Sequence, residues 1–456
     1  MPDRDSASVD VQSFLDEHWF SGFQWMIFGL CFLIVLLDGF DTGAIGFIAP
    51  SLLKEWGVPR PSLVPVLTAA LYGLAAGALA SGPLADRVGR KRLLCIAVGV
   101  FGVACLASSF AQTLDQLTAM RFATGLGLGA AMPNAVTLMS EYCPHRLRAT
   151  LVNAMFCGFP LGTAFGGFLA SWMIPQFGWR SVLMLGGVAP LVLVLALLVA
   201  LPESVRFMVA RAQPAERIRA TLARIAASAS AVRAFHLSEN RPAASGARGI
   251  ALVLSAPYRV GSLMLWLAYF MGLVIFYALI NWMPILFKDA GLDPVSATRV
   301  AALFPLGGCG AVLFGFLMDR FNGNRIIAIG YAATAMLIWL IGQAAGNVGS
   351  LVVVVFVGGA VMNTAQSSLP ALAAAFYPTE GRATGVSWML GFGRFGGIAG
   401  SALVGELTRR QFTFAEIFTV VAVPGLVAAL ALLLKQRVHP EPARGAAPRV
   451  DGVAAH

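Results

Sequence analysis

Two carboxylates, Asp38 and Asp41, stand three residues apart in the stretch LLDGFDTG (36–43), with Leu, Ile, Val and Phe on either side. In a helix this spacing puts both on one face. Two carboxyls so close together in a low dielectric resist ionising at once, so one of them takes up and releases a proton. That is the chemistry of a proton carrier; the competing reading is an Asp held permanently in a structural ion pair. Two arginines stand in equally apolar surroundings, Arg121 and Arg394. A guanidinium fork grips a carboxylate through two parallel hydrogen bonds. Each is therefore a candidate anchor for an anionic substrate, or alternatively half of a gate ion pair.

The elements that position these charges are long apolar blocks. The chain has 456 residues, 58% of them apolar and 12% charged, against about 25% charged in a soluble domain. Twelve blocks stand out: 22–49, 62–84, 93–111, 116–142, 148–174, 179–201, 260–287, 294–317, 326–345, 349–376, 381–407 and 413–435. Each is near or above the ~20 residues that cross a bilayer as a helix. Lipid satisfies no backbone hydrogen bond, so each block must be helical. The sequence predicts an all-α polytopic membrane protein with twelve transmembrane helices. Ionisable residues inside such helices are functional candidates by default.

Lys and Arg set the orientation. With both termini cytoplasmic, cytoplasmic segments hold 23 of the 32 basic residues. Periplasmic loops hold seven: Lys54, Arg60, Arg180, Lys288, Arg299, Arg409 and Arg410. The net charge of +10 then reflects topology and contact with anionic lipid, with no nucleic-acid partner implied. The acidic start MPDRDSASVDVQ does not read as a signal peptide. The six cysteines are scattered without a CxxC pair, and the five histidines lie outside the helix cores. The cysteines read as small buried hydrophobes. No metal site, cofactor or hydrolase triad is expected, and the chain does not read as an enzyme.

Depth sorts the buried charges. Asp41 lies ~13 Å and Asp38 ~18 Å below the outer end of the first helix at Pro50, at ~1.5 Å per residue. Arg121, on a helix running inward from Gln116, lies ~8 Å below the same face, so it approaches Asp41 more easily than Asp38. Arg394 falls at the midplane, level with Asp38. Around it, GFGRFGG (391–397) leaves backbone room for a ligand.

The chain divides in two. The polar interruption 202–259, with nine arginines, separates a six-helix half (22–201) from a second (260–435), leaving an N-terminal tail (1–21) and a disordered C-terminal tail (436–456). Within the linker, Ile218, Leu222 and Ile225 stand at helical spacing, as a basic amphipathic helix on the inner leaflet would require; a plain tether is the alternative. Val11, Phe14, Leu15 and His18 predict a short interfacial helix. The halves repeat. GPLADRVGRKR (82–92) and GFLMDRFNGNR (315–325) match at an offset of 233, and PHRLRAT (144–150) and PTEGRAT (378–384) at 234. Two repeated six-helix halves mean a transporter with a central site.

GPLADRVGRKR matches every position of the loop motif of the major facilitator superfamily, G-x-x-x-D-R-x-G-R-[RK]-[RK], and the resemblance covers all twelve helices. It implies that Asp86, Arg87 and Arg90 contact neighbouring helix ends and help set the outward-facing state, with Asp319 and Arg320 in the repeated loop. LDGFDTGAIGFIAP (37–50), RFATGLGLGAAMPNA (121–135) and GRATGVSWMLGFGRFGGIAG (381–400) resemble the aromatic acid:proton symporter family. Its D-G-x-D motif falls on Asp38, Gly39 and Asp41. That resemblance implies import of hydroxybenzoate-, protocatechuate- or aryloxy-type carboxylates with protons, across a bacterial inner membrane. GFPLGTAFGG (158–167) resembles the antiporter motif only loosely, because Phe159 splits the expected Gly-Pro pair.

Helix 7, WLAYFMGLVIFYALINW (266–282), is rich in aromatics. Tyr277 and Asn281, at i and i+4, are candidates to bond a ring substituent while Phe270 or Phe276 stacks on it. Asn134, Asn363 and Gln366 are further polar candidates, with interhelical hydrogen bonding as the alternative. The expected partners are a small aromatic carboxylate, protons and membrane lipid, the expected state a monomer. Competing functions are transport of another organic anion or a drug, or a transporter-like sensor acting through 202–259.

Overall fold

A computed structural model describes residues 8–232, 234–237, 250–310, 322–344, 347–377 and 379–439. Each apolar block has a helical counterpart. In the N-terminal half these are α2 (Gly22–Trp56), α3 (Val64–Val88), α4 (Arg90–Ser108), α5 (Leu114–Tyr142), α6 (His145–Phe156) with α7 (Gly158–Phe177), and α8 (Arg180–Ala200). The fifth block is thus split at Cys157. The C-terminal half carries α12 (Arg259–Asp289), α13 (Pro294–Leu306), α14 (Gly323–Gln343), α15 (Val348–Phe376), α16 (Thr379–Arg409) and α17 (Phe414–Val438). Among the described residues ten spans are long and apolar enough to cross a membrane. The remaining two blocks correspond to α13, which passes into a 3-10 turn at Gly307–Gly310, and to α16.

Local chemistry sets the helix ends. Ser21 and Gln24 form a capping box at the start of α2, and Gly57 (φ 63°) closes its end. Thr413 and Glu416 do the same at the start of α17. Such caps satisfy backbone N–H groups that the first turn leaves unpaired. At the superfamily loop motif, Gly89 has φ 101° and ends α3, so Arg90, Lys91 and Arg92 form the first turn of α4.

The two halves repeat in packing as well as in loops. Gly158 and Gly162 of α7 press on the Phe32 and Leu36 carbonyls of α2. Gly396 and Gly400 of α16 press on the Phe270 and Val274 carbonyls of α12. Every one of these positions lies 238 residues from its counterpart. At Gly162, Gly396 and Gly400 a Cβ would overlap the facing backbone, and at Gly158 it would be tight. Likewise Gly125 meets Ala70, and Gly359 meets Phe304, both at an offset of 234.

The chain forms two compact units: residues 1–244 with 283–302, and residues 245–282 with 303–456. The end of α12 from Met283 and most of α13 thus group with the first unit.

The segments flanking the helices depart from expectation. The N-terminal residues Ser8–Asp10 (β1) pair in parallel with Ala234–His236 (β2) of the linker. Next to them lie α1 (Val11–Glu17), α9 (Val205–Ala210) and α10 (Ala215–Leu222). Val11, Phe14 and Leu15 of α1, and Ile218 and Leu222 of α10, are buried in protein. Val11, Phe14, Ile218 and Leu222 join Phe23 and Tyr142 in one apolar cluster. Arg206 donates to Gln12 at 2.6 Å. The amphipathic face that the sequence assigns to the inner leaflet therefore packs on the N-terminal half itself. A short linker helix α11 (Ile250–Val253) precedes α12. At the C-terminus, α17 runs to Val438, and Gln436 accepts from Asn324 at 2.8 Å. Positions 436–438 are therefore helix where a disordered tail is expected; 440–456 lie outside the described residues.

Candidate functional site

In the first unit, α2, α4 and α5 meet at the charged residues. Arg121 grips Asp41 with both arms of its fork: Nη1 to Oδ1 at 2.7 Å and Nη2 to Oδ2 at 2.9 Å. Both side chains are 1% exposed, and Arg121 Nε has no hydrogen-bond partner among the described residues. A buried charge of this kind persists only with a well-aligned opposite charge. Asp38, one turn earlier on α2, is buried as well. The choice of Asp41 over Asp38 agrees with the depth of the three residues along their helices.

A third group joins the pair. The Cys105 thiol of α4 donates to Asp41 Oδ1 at 3.4 Å and lies 3.5 Å from the Leu183 carbonyl of α8. Among six scattered cysteines, no spacing in the sequence distinguishes it. Thr163 of α7 donates to the Gly39 carbonyl at 2.8 Å, tying α7 to the α2 turn between the two aspartates.

The second unit holds Arg394, half-buried on α16. Here the expected backbone room is filled at three of the four glycines. Gly393 abuts the Tyr269 ring, Gly396 the Phe270 carbonyl and Gly397 the Tyr277 ring. Gly393, Gly396 and Gly397 thus let α12 and α16 pack closely, while Gly391 meets nothing within 4 Å among the described residues. Arg394 follows Gly393, whose contact with the Tyr269 ring brings α16 against α12 here. Beside it runs a neutral network: Tyr331 donates to Gln366 Oε1 at 2.5 Å, and Gln366 Nε2 donates to the Tyr269 carbonyl at 3.4 Å. Gln366 was among the sequence candidates; Tyr269 and Tyr331 were not, because a tyrosine in an apolar helix reads as packing.

The other helix 7 candidates are engaged within the protein. Asn281 donates to the Ser401 hydroxyl at 2.8 Å in a buried contact, so its amide serves an α12–α16 bond where a ring substituent was expected. Tyr277 is buried edge-on against Phe276, with ring centroids 5.3 Å apart. Phe270 lies 5.3 Å from Phe392. Asn134 donates to the Ala130 carbonyl of its own helix, and Asn363 to Phe304 and Gly359 carbonyls.

At the loop motif, Arg87 is exposed. Arg90 donates to the Ala85 carbonyl at 3.3 Å, approaches Glu141 at 3.7 Å and lies over the Phe207 ring. The Asp86 side chain, and Asp319 and Arg320 altogether, lie outside what the structure describes. Sequence reasoning missed Glu203 here. Its Oε1 accepts from the backbone N–H groups of Arg90, Lys91 and Ser204 at 2.9, 3.1 and 2.9 Å. A carboxylate at a helix N-terminus is favoured by both hydrogen bonds and the helix dipole. It sits among the linker charges, where its helix-capping role has no sequence signal.

The profile of the Major Facilitator Superfamily matches residues 31–341 and 300–454. The chain belongs to that superfamily. It is 50% identical over 430 residues to the 4-hydroxybenzoate transporter PcaK of Pseudomonas aeruginosa, covering 94% of this chain and 96% of that one. A gallate transporter of Pseudomonas putida is 46% identical over 428 residues, covering 94% and 95%. Among solved structures, a D-xylose-proton symporter superposes with a TM-score of 0.71 at 18% identity, covering 91% of this chain and 98% of that one. That likeness gives the fold, the twelve-helix major facilitator architecture. The named relatives are transporters, and this chain is a multi-pass membrane transporter, not an enzyme.

Proposed function

We propose that the chain imports aromatic carboxylates of the hydroxybenzoate, protocatechuate or aryloxy class together with protons, by alternating access. In this reading it lies in the bacterial inner membrane as a monomer with both termini cytoplasmic. The observation that carries it is the buried Asp41–Arg121 pair with Asp38 one turn away, in a chain half identical to a named 4-hydroxybenzoate transporter. Asp38 and Asp41 exchange the coupling proton. Arg121 compensates Asp41, which leaves Arg394 as the substrate anchor. Tyr277, Phe270 and Phe276 shape the helix 7 wall. Asp86, Arg87 and Arg90, with Asp319 and Arg320, govern the change of state.

The energetics favour coupling. An aromatic acid with a carboxyl pKa near 4 is an anion at pH 7, and a lone charge at the bilayer midplane is costly. Arg394 neutralises the anion while a proton neutralises one aspartate. One proton per monoanion draws ~1.4 kcal/mol per unit of pH gradient, and each further proton adds ~2.3 kcal/mol per 100 mV. More than one proton fits the accumulation of scarce substrates.

Reconstituted protein should take up labelled 4-hydroxybenzoate faster at acidic outside pH and faster still with an inside-negative potential. Asp38→Asn and Asp41→Asn should abolish accumulation. Uptake indifferent to pH and potential would rule out proton symport. Equal competition by a saturated ring carboxylate would remove the aromatic preference.

A further inference from the structure

The seven basic residues assigned to the outer face differ in how they are compensated. Arg180 pairs with Glu55 at 2.5 Å. Arg409 and Arg410 share Glu406, each at 2.7 Å. Arg299 donates to the Ser171 hydroxyl. Arg60 pairs with Asp289 at 2.6 Å. Lys54 and Lys288 form no ion pair among the described residues, and both line the same cavity.

That cavity, about 380 Å³, lies in the first unit where α2 and the α2–α3 turn meet the end of α12. Its remaining wall is Arg60, Asp289, and the apolar side chains of Pro50, Leu53, Val58, Pro59 and Ile285. Three cations face one carboxylate, so the cavity carries a net charge of +2. An apolar wall beside two ammonium groups that form no ion pair among the described residues suits a small anion with a flat apolar body. Lys54 stands on the same helix as Asp41, thirteen residues further on, or ~20 Å along the axis.

We propose that Lys54 and Lys288, walled by the Arg60–Asp289 pair, form an antechamber that holds an aromatic carboxylate before it reaches the buried charges. The ring rests on the proline and aliphatic wall, and the carboxylate lies between the two ammonium groups. Surplus positive charge in a cleft raises the local concentration of an anion, an effect that weakens with salt. The antechamber rests on the substrate class and orientation proposed above.

The test is uptake of labelled 4-hydroxybenzoate by proteoliposomes, with salt varied from dilute to near-molar on the side of substrate addition. For wild type the apparent KM should rise with salt. Lys54→Gln with Lys288→Gln should raise KM about three- to tenfold in dilute buffer and remove most of its salt dependence. Lys54→Arg with Lys288→Arg should restore the wild-type curve, which separates lost charge from misfolding. Arg180→Gln removes one positive charge from the same end outside the cavity and should keep the salt dependence. A double Gln variant with wild-type KM and salt dependence would overturn the antechamber and leave the transport reading standing. Wild-type protein that takes up no aromatic acid would instead overturn the transport reading.

Discussion

Where α2, α4 and α5 of the N-terminal half bring Asp41, Cys105 and Arg121 together, the matching helices of the C-terminal half, α12, α14 and α15, carry Leu279, Ile338 and Val355. These positions follow from the repeat offsets of 238, 233 and 234, and all three aliphatic side chains are buried. The reverse holds elsewhere on the same helices. The C-terminal network of Tyr269, Tyr331 and Gln366 falls on Cys31, Val98 and Met132, which belong to or pack against the apolar core of the N-terminal half. The glycine contacts between helices are kept in both halves, while the polar groups are not. Close helix approach is a scaffold requirement, so it repeats. A buried ion pair is costly to desolvate, so it is kept where it has a task, and aliphatic packing fills the equivalent place.

Removing half of the pair should produce the largest effect. Arg121→Val strands Asp41 in an apolar site, and about 3–5 kcal/mol of stability should be lost, with accumulation. Unfolding in detergent measures this; wild-type stability would mean the two halves do not differ in the way described.

Giving the N-terminal half its partner's residues is the sharper experiment. Asp41→Leu, Cys105→Ile and Arg121→Val together should recover stability to within about 2 kcal/mol of wild type, because packed apolar side chains often replace a buried ion pair at little cost. pH-driven accumulation should still be absent. A triple variant that concentrates substrate would dissociate the cluster from coupling.

In the other half, Arg394→Lys keeps the charge and loses the planar fork. Apparent affinity for the carboxylate should fall about tenfold, or ~1.4 kcal/mol, as read from uptake against substrate concentration. Unchanged affinity would move the anchor elsewhere. The smallest effect belongs to Tyr331→Phe, which deletes the hydroxyl donated to Gln366. A loss of about 0.5–1.5 kcal/mol is expected, visible in the melting temperature. Loss of proton coupling in this variant would show that the neutral network has a larger part than its chemistry indicates.

Much of this was legible in the sequence. Each of the twelve blocks holds a helix among its described residues, because lipid permits a spanning chain little else, and two loop repeats pointed to the repeat that the glycine contacts share. Asp38, Asp41, Arg121 and Arg394 stood out because charges in apolar helices are rare. Of the two readings of the linker, a leaflet-bound helix or a plain tether, neither foresaw that Ile218 and Leu222 are buried in protein, and the reason is physical. An amphipathic face announces that it will be buried, but not whether lipid or protein will bury it. Ile218 and Leu222 joined an apolar cluster with Val11, Phe14, Phe23 and Tyr142 instead of the leaflet. Asn281, Gly393, Gly396 and Gly397 were misassigned for a similar reason: an amide or a bare backbone fits a neighbouring helix as well as a ligand.

The sequence by itself determined the number and span of the helices, the division into repeats and the residues that carry buried charge. These follow from composition and spacing along one chain, which hydrophobicity and helix geometry read directly. Depth along the helices already favoured Asp41 over Asp38 for Arg121; only the tertiary structure decided that both arms of its fork close on that carboxylate, that Cys105 joins them, that Glu203 caps α4 and that Lys54 and Lys288 share a cavity. Each of those contacts unites residues distant in sequence. Their meeting depends on helix rotation and approach set by side-chain packing, which no local pattern encodes.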